Sequence, residues 1–169
     1  KLTDDGAGNV SLGSTVPITA SAGLSENPQI AASGTDVYIV YEDVLTVGGD
    51  KKIFFIKSVN SGDTFSATVN LSSSSLESRF PQISLSGSMV DIVWIDDSFD
   101  VSGSGTGDLV MRSSSDGGDT FGGLQMISES PNGISSVSNP KVASSAGLTA
   151  VLWSSISDIY LKGGLANVD

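Results

Sequence analysis

Four aspartates crowd one stretch of this chain. Asp96, Asp97, Asp100 and Asp108 are spread through the Gly- and Ser-rich run from 96 to 108. Carboxylate oxygens on a pliant loop are the ligand set that Ca²⁺ takes, so this run is the metal candidate and Ca²⁺ the one cofactor it points to. A plain solvated loop is the other reading. The spacing is not that of an EF-hand, because no Glu closes the loop. Glu42, Asp43 and Asp50 form a second, sparser acidic run. Asp43 and Asp96, one from each run, have the residue type for acid–base cleavage of a glycosidic bond, provided their separation suits it.

Composition removes other chemistries. The 169 residues include no histidine and no cysteine. That excludes His-based triads, His-ligated zinc, thiolate metal sites and disulfides. Eight Lys and Arg stand against 19 Asp and Glu, a formal net charge of −11. A phosphate backbone or an anionic membrane surface needs a basic patch, so neither is an expected partner. No apolar run approaches the roughly 18–20 residues of a membrane-spanning helix. The first residue is Lys1 and not Met, which reads as a mature form or an excised segment.

The elements that must position these groups repeat. Ser58-Val-Asn60-Ser-Gly62-Asp-Thr64-Phe65 and Ser114-Ser-Asp116-Gly-Gly118-Asp-Thr120-Phe121 share the pattern Ser-x-Asp/Asn-x-Gly-x-Thr-Phe, 56 positions apart. Asn60 and Asp116 can accept from backbone N–H groups of their own turns, and Gly62 and Gly118 permit positive φ. Thr3 to Val10 aligns without a gap as a decayed third copy. Upstream, Pro28, Pro81 and Pro140 each precede an aromatic, Tyr41, Trp94 or Trp153, by 13 positions. Each unit reads as four short strands: a Pro-led run, a Val/Ile-rich run fit for burial on both faces, a third apolar run, and a short fourth. The fourth runs are Ala67–Leu71 and Leu124–Ile127, and Thr15–Thr19 has the same character. Four-stranded units with a period of about 55 residues predict an all-β propeller with three blades in one domain over 1–169. The blades span about 26–73, 79–128 and 138–163, the last completed by an N-terminal strand within 1–20.

The turn pattern resembles the Asp box of the sialidase-like (neuraminidase) propellers. The runs Pro28-Gln-Ile, Val37-Tyr-Ile-Val-Tyr-Glu-Asp43 and Asn70-Leu-Ser72 look like repeat arrays of that kind on microbial surface proteins. The resemblance covers nearly the whole chain and speaks to fold. It implies that Ser58, Asn60, Gly62, Thr64 and Phe65, with Ser114, Asp116, Gly118, Thr120 and Phe121, are structural, and that an active face lies opposite these boxes. In such enzymes three arginines grip the substrate carboxylate, and a Tyr–Glu pair supplies the nucleophile. This chain has two arginines. Arg79, in Arg79-Phe-Pro81, resembles the family's Arg-Ile-Pro motif and is the ligand-contact candidate beside Asp43 and Asp96. Arg112 falls on a third strand and is expected to be solvated. Tyr41 and Glu42 are neighbours on one strand and must face opposite ways.

The resulting expectation is a non-catalytic extracellular or cell-surface module that binds or scaffolds, with a glycan or a cell-surface partner as ligand. The alternatives are a sialidase-like glycoside hydrolase using carboxylates opposite the boxes and a structural surface-layer component. Three blades leave exposed edges. Two copies closing a six-bladed ring, or further repeats of the same protein, would cover them. No nucleic acid and no membrane span enter this reading.

Overall fold

The computed structural model describes residues 2–4, 6–7, 9–21, 23–99, 107–128, 137–156 and 158–166. Among these, strands β1 (Leu2–Asp4) and β2 (Val10–Leu12) pair only with each other. A first sheet follows in the order β3 (Ser25–Ser33), β4 (Asp36–Asp43), β5 (Lys52–Ser58), β6 (Val69–Asn70). The second contains β7 (Ser78–Ser86), β8 (Met89–Asp96), β9 (Asp108–Ser114) and β10 (Gln125–Met126). The third has three strands, β11 (Val137–Ser145), β12 (Leu148–Ser155) and β13 (Asp158–Ala166). Every pairing is antiparallel between neighbours in sequence. The chain is thus all-β, with one 3-10 turn among the described residues, at Asp97–Phe99.

The three sheets stack face to face, with β7 lying against β3 on one side and β11 on the other. Side chains alternate along a strand, so each sheet has a front that carries its aromatic and a back. The back of the first sheet (Tyr38, Val40, Ile53, Phe55) packs on the front of the second (Ile92, Trp94, Val110). The back of the second (Val93, Ile95, Leu109, Met111) packs on Val137, Val151 and Trp153 of the third. The front of the first sheet gathers Ile39, Tyr41, Phe54 and Ile56. The chain before β3 places Ile18 and Thr19 along a cleft that Tyr41 also lines.

Burial of the middle strands follows from this stacking. From Tyr38 to Asp43 and from Val90 to Asp96 every residue is buried, as expected for a strand covered on both sides. β12 departs from that expectation: Thr149 and Val151 are buried whereas Leu148 and Leu152 are exposed. Among the described residues, nothing covers the back of the third sheet. The strand expected from residues 15–19 is also not formed in the single chain, where residues 13–21 carry no strand.

The constant spacing from proline to aromatic has a local cause. Registers slip between Glu26 and Gln29, between Arg79 and Gln82, and between Ser138 and Lys141. Two residues therefore oppose one at each site: Asn27-Pro28 across from Tyr41, Phe80-Pro81 from Trp94, and Asn139-Pro140 from Trp153. These are β-bulges, and proline suits one because it has no N–H to give the ladder. The bulged residue adopts positive φ each time: 49° at Asn27, 56° at Phe80 and 52° at Asn139.

Both boxes close through their own side chains. Ser114 Oγ accepts from Gly118 N (2.8 Å) and donates to Asp116 Oδ1 (2.7 Å), while Thr120 N donates to Asp116 Oδ1 (2.9 Å). The first box matches it, with Gly62 N to Ser58 Oγ at 2.9 Å and Thr64 N to Asn60 Oδ1 at 2.9 Å. One contact reverses polarity: Thr120 Oγ1 donates to Asp116 Oδ2, whereas Asn60 Nδ2 donates to Thr64 Oγ1. A β-carbon on Gly118 would meet the Phe55 ring at 2.7 Å, so this turn sits hard against the first sheet. Phe121 packs edge-on to Phe55, with ring centroids 5.0 Å apart. Lys57 Nζ reaches from β5 to Gly117 O (2.8 Å) and Asp119 Oδ1 (2.7 Å) of the second box.

The boxes differ in their response to acid. The Thr120 side chain, then its backbone N–H, then Ser114, hold the Asp116 carboxyl well below the usual carboxylate range. A folded pKa below the unfolded one gives stability that is complete above the unfolded value, near 4 for a free aspartate, and fades as pH falls towards the folded value. Asp116→Asn should accept that polarity, because Asn60 already does the same work. The expected result is a difference in thermal midpoint between wild type and Asp116→Asn that shrinks as pH is lowered from 7 to 2. A constant difference over that range refutes the assignment.

Candidate functional site

The ends of the strands opposite the boxes gather the β4–β5 loop, the 3-10 turn after β8 and the starts of β3, β7 and β11. At their centre is Glu42, buried to 1% exposure at the end of β4. Its Oε1 accepts from Phe80 N (2.6 Å) of the second sheet and from Asn27 Nδ2 (2.7 Å) of the first. Its Oε2 lies 3.3 Å from Lys51 Nζ, an ion pair without hydrogen-bond alignment. Lys51 also bonds Glu26 Oε2 at 2.7 Å, and this contact most of all raises its pKa above the ordinary lysine value. One carboxylate thus joins both bulges. It caps the N–H of Phe80, which the left-handed backbone turns away from the ladder.

The sequence-predicted residues are placed as follows. Arg79 lies on this face with its Nη1 2.5 Å from Asp97 Oδ2 and 3.6 Å from Glu77 Oε2. Asp96 is buried, its Oδ2 accepting from Ser78 Oγ (3.0 Å) and Trp94 Nε1 (3.3 Å) and its Oδ1 from Ser98 N (3.0 Å). Asp43 occupies the matching position in the first sheet, also buried, and its Oδ1 has no hydrogen-bond partner. Asp108 faces Asp96 across the β8–β9 ladder and accepts from Ser128 Oγ at 2.9 Å. Asp100 lies outside the described residues. Among the described residues, no three acidic side chains converge as a metal would require. Asp96, Asp97 and Asp108 each turn to a protein donor instead.

Tyr41 and Glu42 do face opposite ways. Tyr41 stacks on Phe54 at the front of the first sheet, with centroids 6.0 Å apart, and Glu42 reaches the second sheet. Burial pushes the Tyr41 phenol above its ordinary value, against the ionisation a nucleophile needs. Arg112 corrects its expectation. It is half-buried on β9 with its Nε enclosed and unbonded, because its strand face is turned towards the first sheet.

Three features were not singled out from sequence. Sequence places Glu42 in an acidic run and beside Tyr41, with no sign that it clasps two sheets. Phe80 is 45% exposed beside Arg79, and its place before a proline that recurs in register was the available signal. Asp91 interrupts the apolar run of β8. It is fully buried between the second and third sheets, where Ser113 Oγ (2.6 Å), Ser144 Oγ (2.6 Å) and Thr149 Oγ1 (2.5 Å) donate to it. The segments at this end also expose large apolar side chains, Leu24, Leu45, Val47 and Leu76 with Phe80, alongside polar ones such as Asn27 and Asp50.

No family model matches the chain, and no curated protein matches it significantly. Among the described residues no helix is long and apolar enough to cross a membrane.

Proposed function

We propose that this chain is a non-catalytic binding or scaffolding module built as part of a sialidase-like propeller. It works outside the cell or on its surface, and its ligand face lies opposite the Asp boxes. One observation carries the reading. Glu42, Asp96, Asp97 and Asp108 are bonded into the framework, while Leu24, Leu45, Val47, Leu76 and Phe80 stand exposed among polar neighbours such as Asp50 and Glu77. Catalytic carboxylates must be free to exchange protons with a substrate. A rim of leucine, valine and phenylalanine with Arg79, Glu77 and Lys51 among them is the make-up of a recognition surface. A glycan is the expected ligand, stacking a sugar face on Phe80.

The open ends of the stack favour self-association, with two copies closing a six-bladed ring. That number lies within the usual range for propellers, which three alone does not.

The test is a glycan array, run beside a panel of fluorogenic glycosides. We expect binding to one glycan class that falls at least about tenfold in Phe80→Ala, with no turnover of any glycoside. Turnover that disappears in Asp96→Ala would assign the chain to the glycoside hydrolases instead.

A further inference from the structure

We infer that residues 15–19 of one copy add as the outermost strand to β13 of a second copy, and that the back of the third sheet is the surface this exchange buries. The inference rests on the paired-ring reading above and specifies its contacts.

The molecule already contains this interface twice. Val40 and Val93, equivalent back-face residues of the first and second sheets, are 0% exposed beneath the next sheet, and their counterpart Leu152 is 41% exposed. Phe55 and Met111 are each 1% exposed, and their counterpart Leu161 is 67% exposed. The complementary end is open as well. Ile83 and Val142 pack under the preceding sheet, whereas Ile30, at the same register position, is 69% exposed. Within one chain these two open ends cannot meet, because the second sheet stands between them.

The missing strand is identified by spacing. In the first sheet β6 leads into Leu71 and Ser72, and Pro81 follows Ser72 by nine positions. Pro28 follows Thr19 by the same nine, and the residue types agree, so Val16-Pro-Ile-Thr19 corresponds to Val69-Asn-Leu-Ser72, whereas Pro140 follows Ser128 by twelve. Position also agrees. Leu71 is clustered with Trp94 and Ile127 with Trp153, each fourth-strand residue meeting the aromatic of the next sheet. Ile18 already lines a cleft with Tyr41. The segment therefore stands where the fourth strand of a preceding sheet belongs, and lacks only its strand-three partner. β13 is an edge with no fourth strand among the described residues, where β5 and β9 each carry one.

The hydrogen bonding can be completed. Leu71 N donates to Ile53 O (2.8 Å) and Ser72 Oγ accepts from Ile53 N (2.8 Å); Ile127 and Ser128 treat Leu109 alike. By register, Ile18 N and Thr19 Oγ1 would serve Ile159 in the same manner. Pro17 takes the place of Asn70, which alternation leaves with its N–H pointing away from β5, so a proline forfeits no ladder bond there.

The experiment uses the absence of native cysteine. Val16→Cys and Leu161→Cys, combined in the full chain, place two thiols opposite each other across the exchanged strand. Both positions are exposed in the single chain, so folding should survive, and circular dichroism checks it. We expect a dimer by native mass, an intermolecular disulfide on mild oxidation that neither single variant forms, and a dimer dissociation constant raised at least about tenfold by Ile18→Asp. A dimer that forms no disulfide and ignores Ile18→Asp overturns the strand exchange and leaves the paired ring standing. A strict monomer overturns both. A disulfide formed within one chain would show self-closure and also refute the exchange.

Discussion

Trp94→Ala is expected to destabilise the chain by about 3–5 kcal/mol, the usual range for removing a fully buried tryptophan. Trp94 is wholly enclosed at the junction of the first two sheets. Its loss would leave a cavity between strands that far-separated residues hold in place. It would also remove the indole N–H from Asp96 Oδ2, a carboxylate buried at the end of the same strand. Trp153→Ala is the internal comparison. It has the same position in the repeat and stacks on Tyr160, with centroids 5.7 Å apart, but is only half-buried. It should cost clearly less. Urea titrations of both variants read the difference as a shift in midpoint at unchanged slope. Equal costs, or a loss below about 1 kcal/mol for Trp94→Ala, would mean that sheet stacking is not what holds the molecule together.

Glu42→Ala is expected to cost about 3 kcal/mol, since it leaves the Phe80 N–H, the Asn27 amide and part of the Lys51 ion pair without their buried acceptor. Lys51 would suffer less, because Glu26 remains beside it. Glu42→Gln separates charge from hydrogen bonding: it keeps an oxygen for Phe80 N, and should recover at least half of the loss. The consequence reaches the proposed ligand face, because Glu42 holds the bulge that carries Phe80. A binding assay on Glu42→Gln, performed well below its unfolding midpoint, should therefore retain most of the wild-type affinity. If Glu42→Ala and Glu42→Gln unfold alike, the ion pair with Lys51 outweighs the bulge contacts, and Glu42 is not a clasp between the two bulges.

Much of this architecture could be read in advance because it is encoded locally. The interval from Pro28 to Tyr41, and from Pro81 to Trp94, reports a bulge with an aromatic across from it, an arrangement contained within one hairpin. The two Ser-x-Asp/Asn-x-Gly-x-Thr-Phe turns close through hydrogen bonds between residues no more than four positions apart. The candidate site was less legible. The sequence groups Asp96 and Asp108 as Ca²⁺ ligands along one run, yet Ser78 of β7 and Ser128, just after β10, claim them. Arg79 does lie opposite the boxes, but its partner Asp97 was counted among the metal candidates.

Strand periodicity, turn chemistry, the absence of histidine and cysteine, and the equivalence of the three units were all present in the order of the residues, since each depends on side chains a few positions apart. The roles of Glu42, Asp91 and the exposed Leu152 depended on which sheets lie against one another. A carboxylate is a ligand, a catalyst or a clasp according to the donors that folding brings to it, and those donors come from segments 15 to 58 positions away.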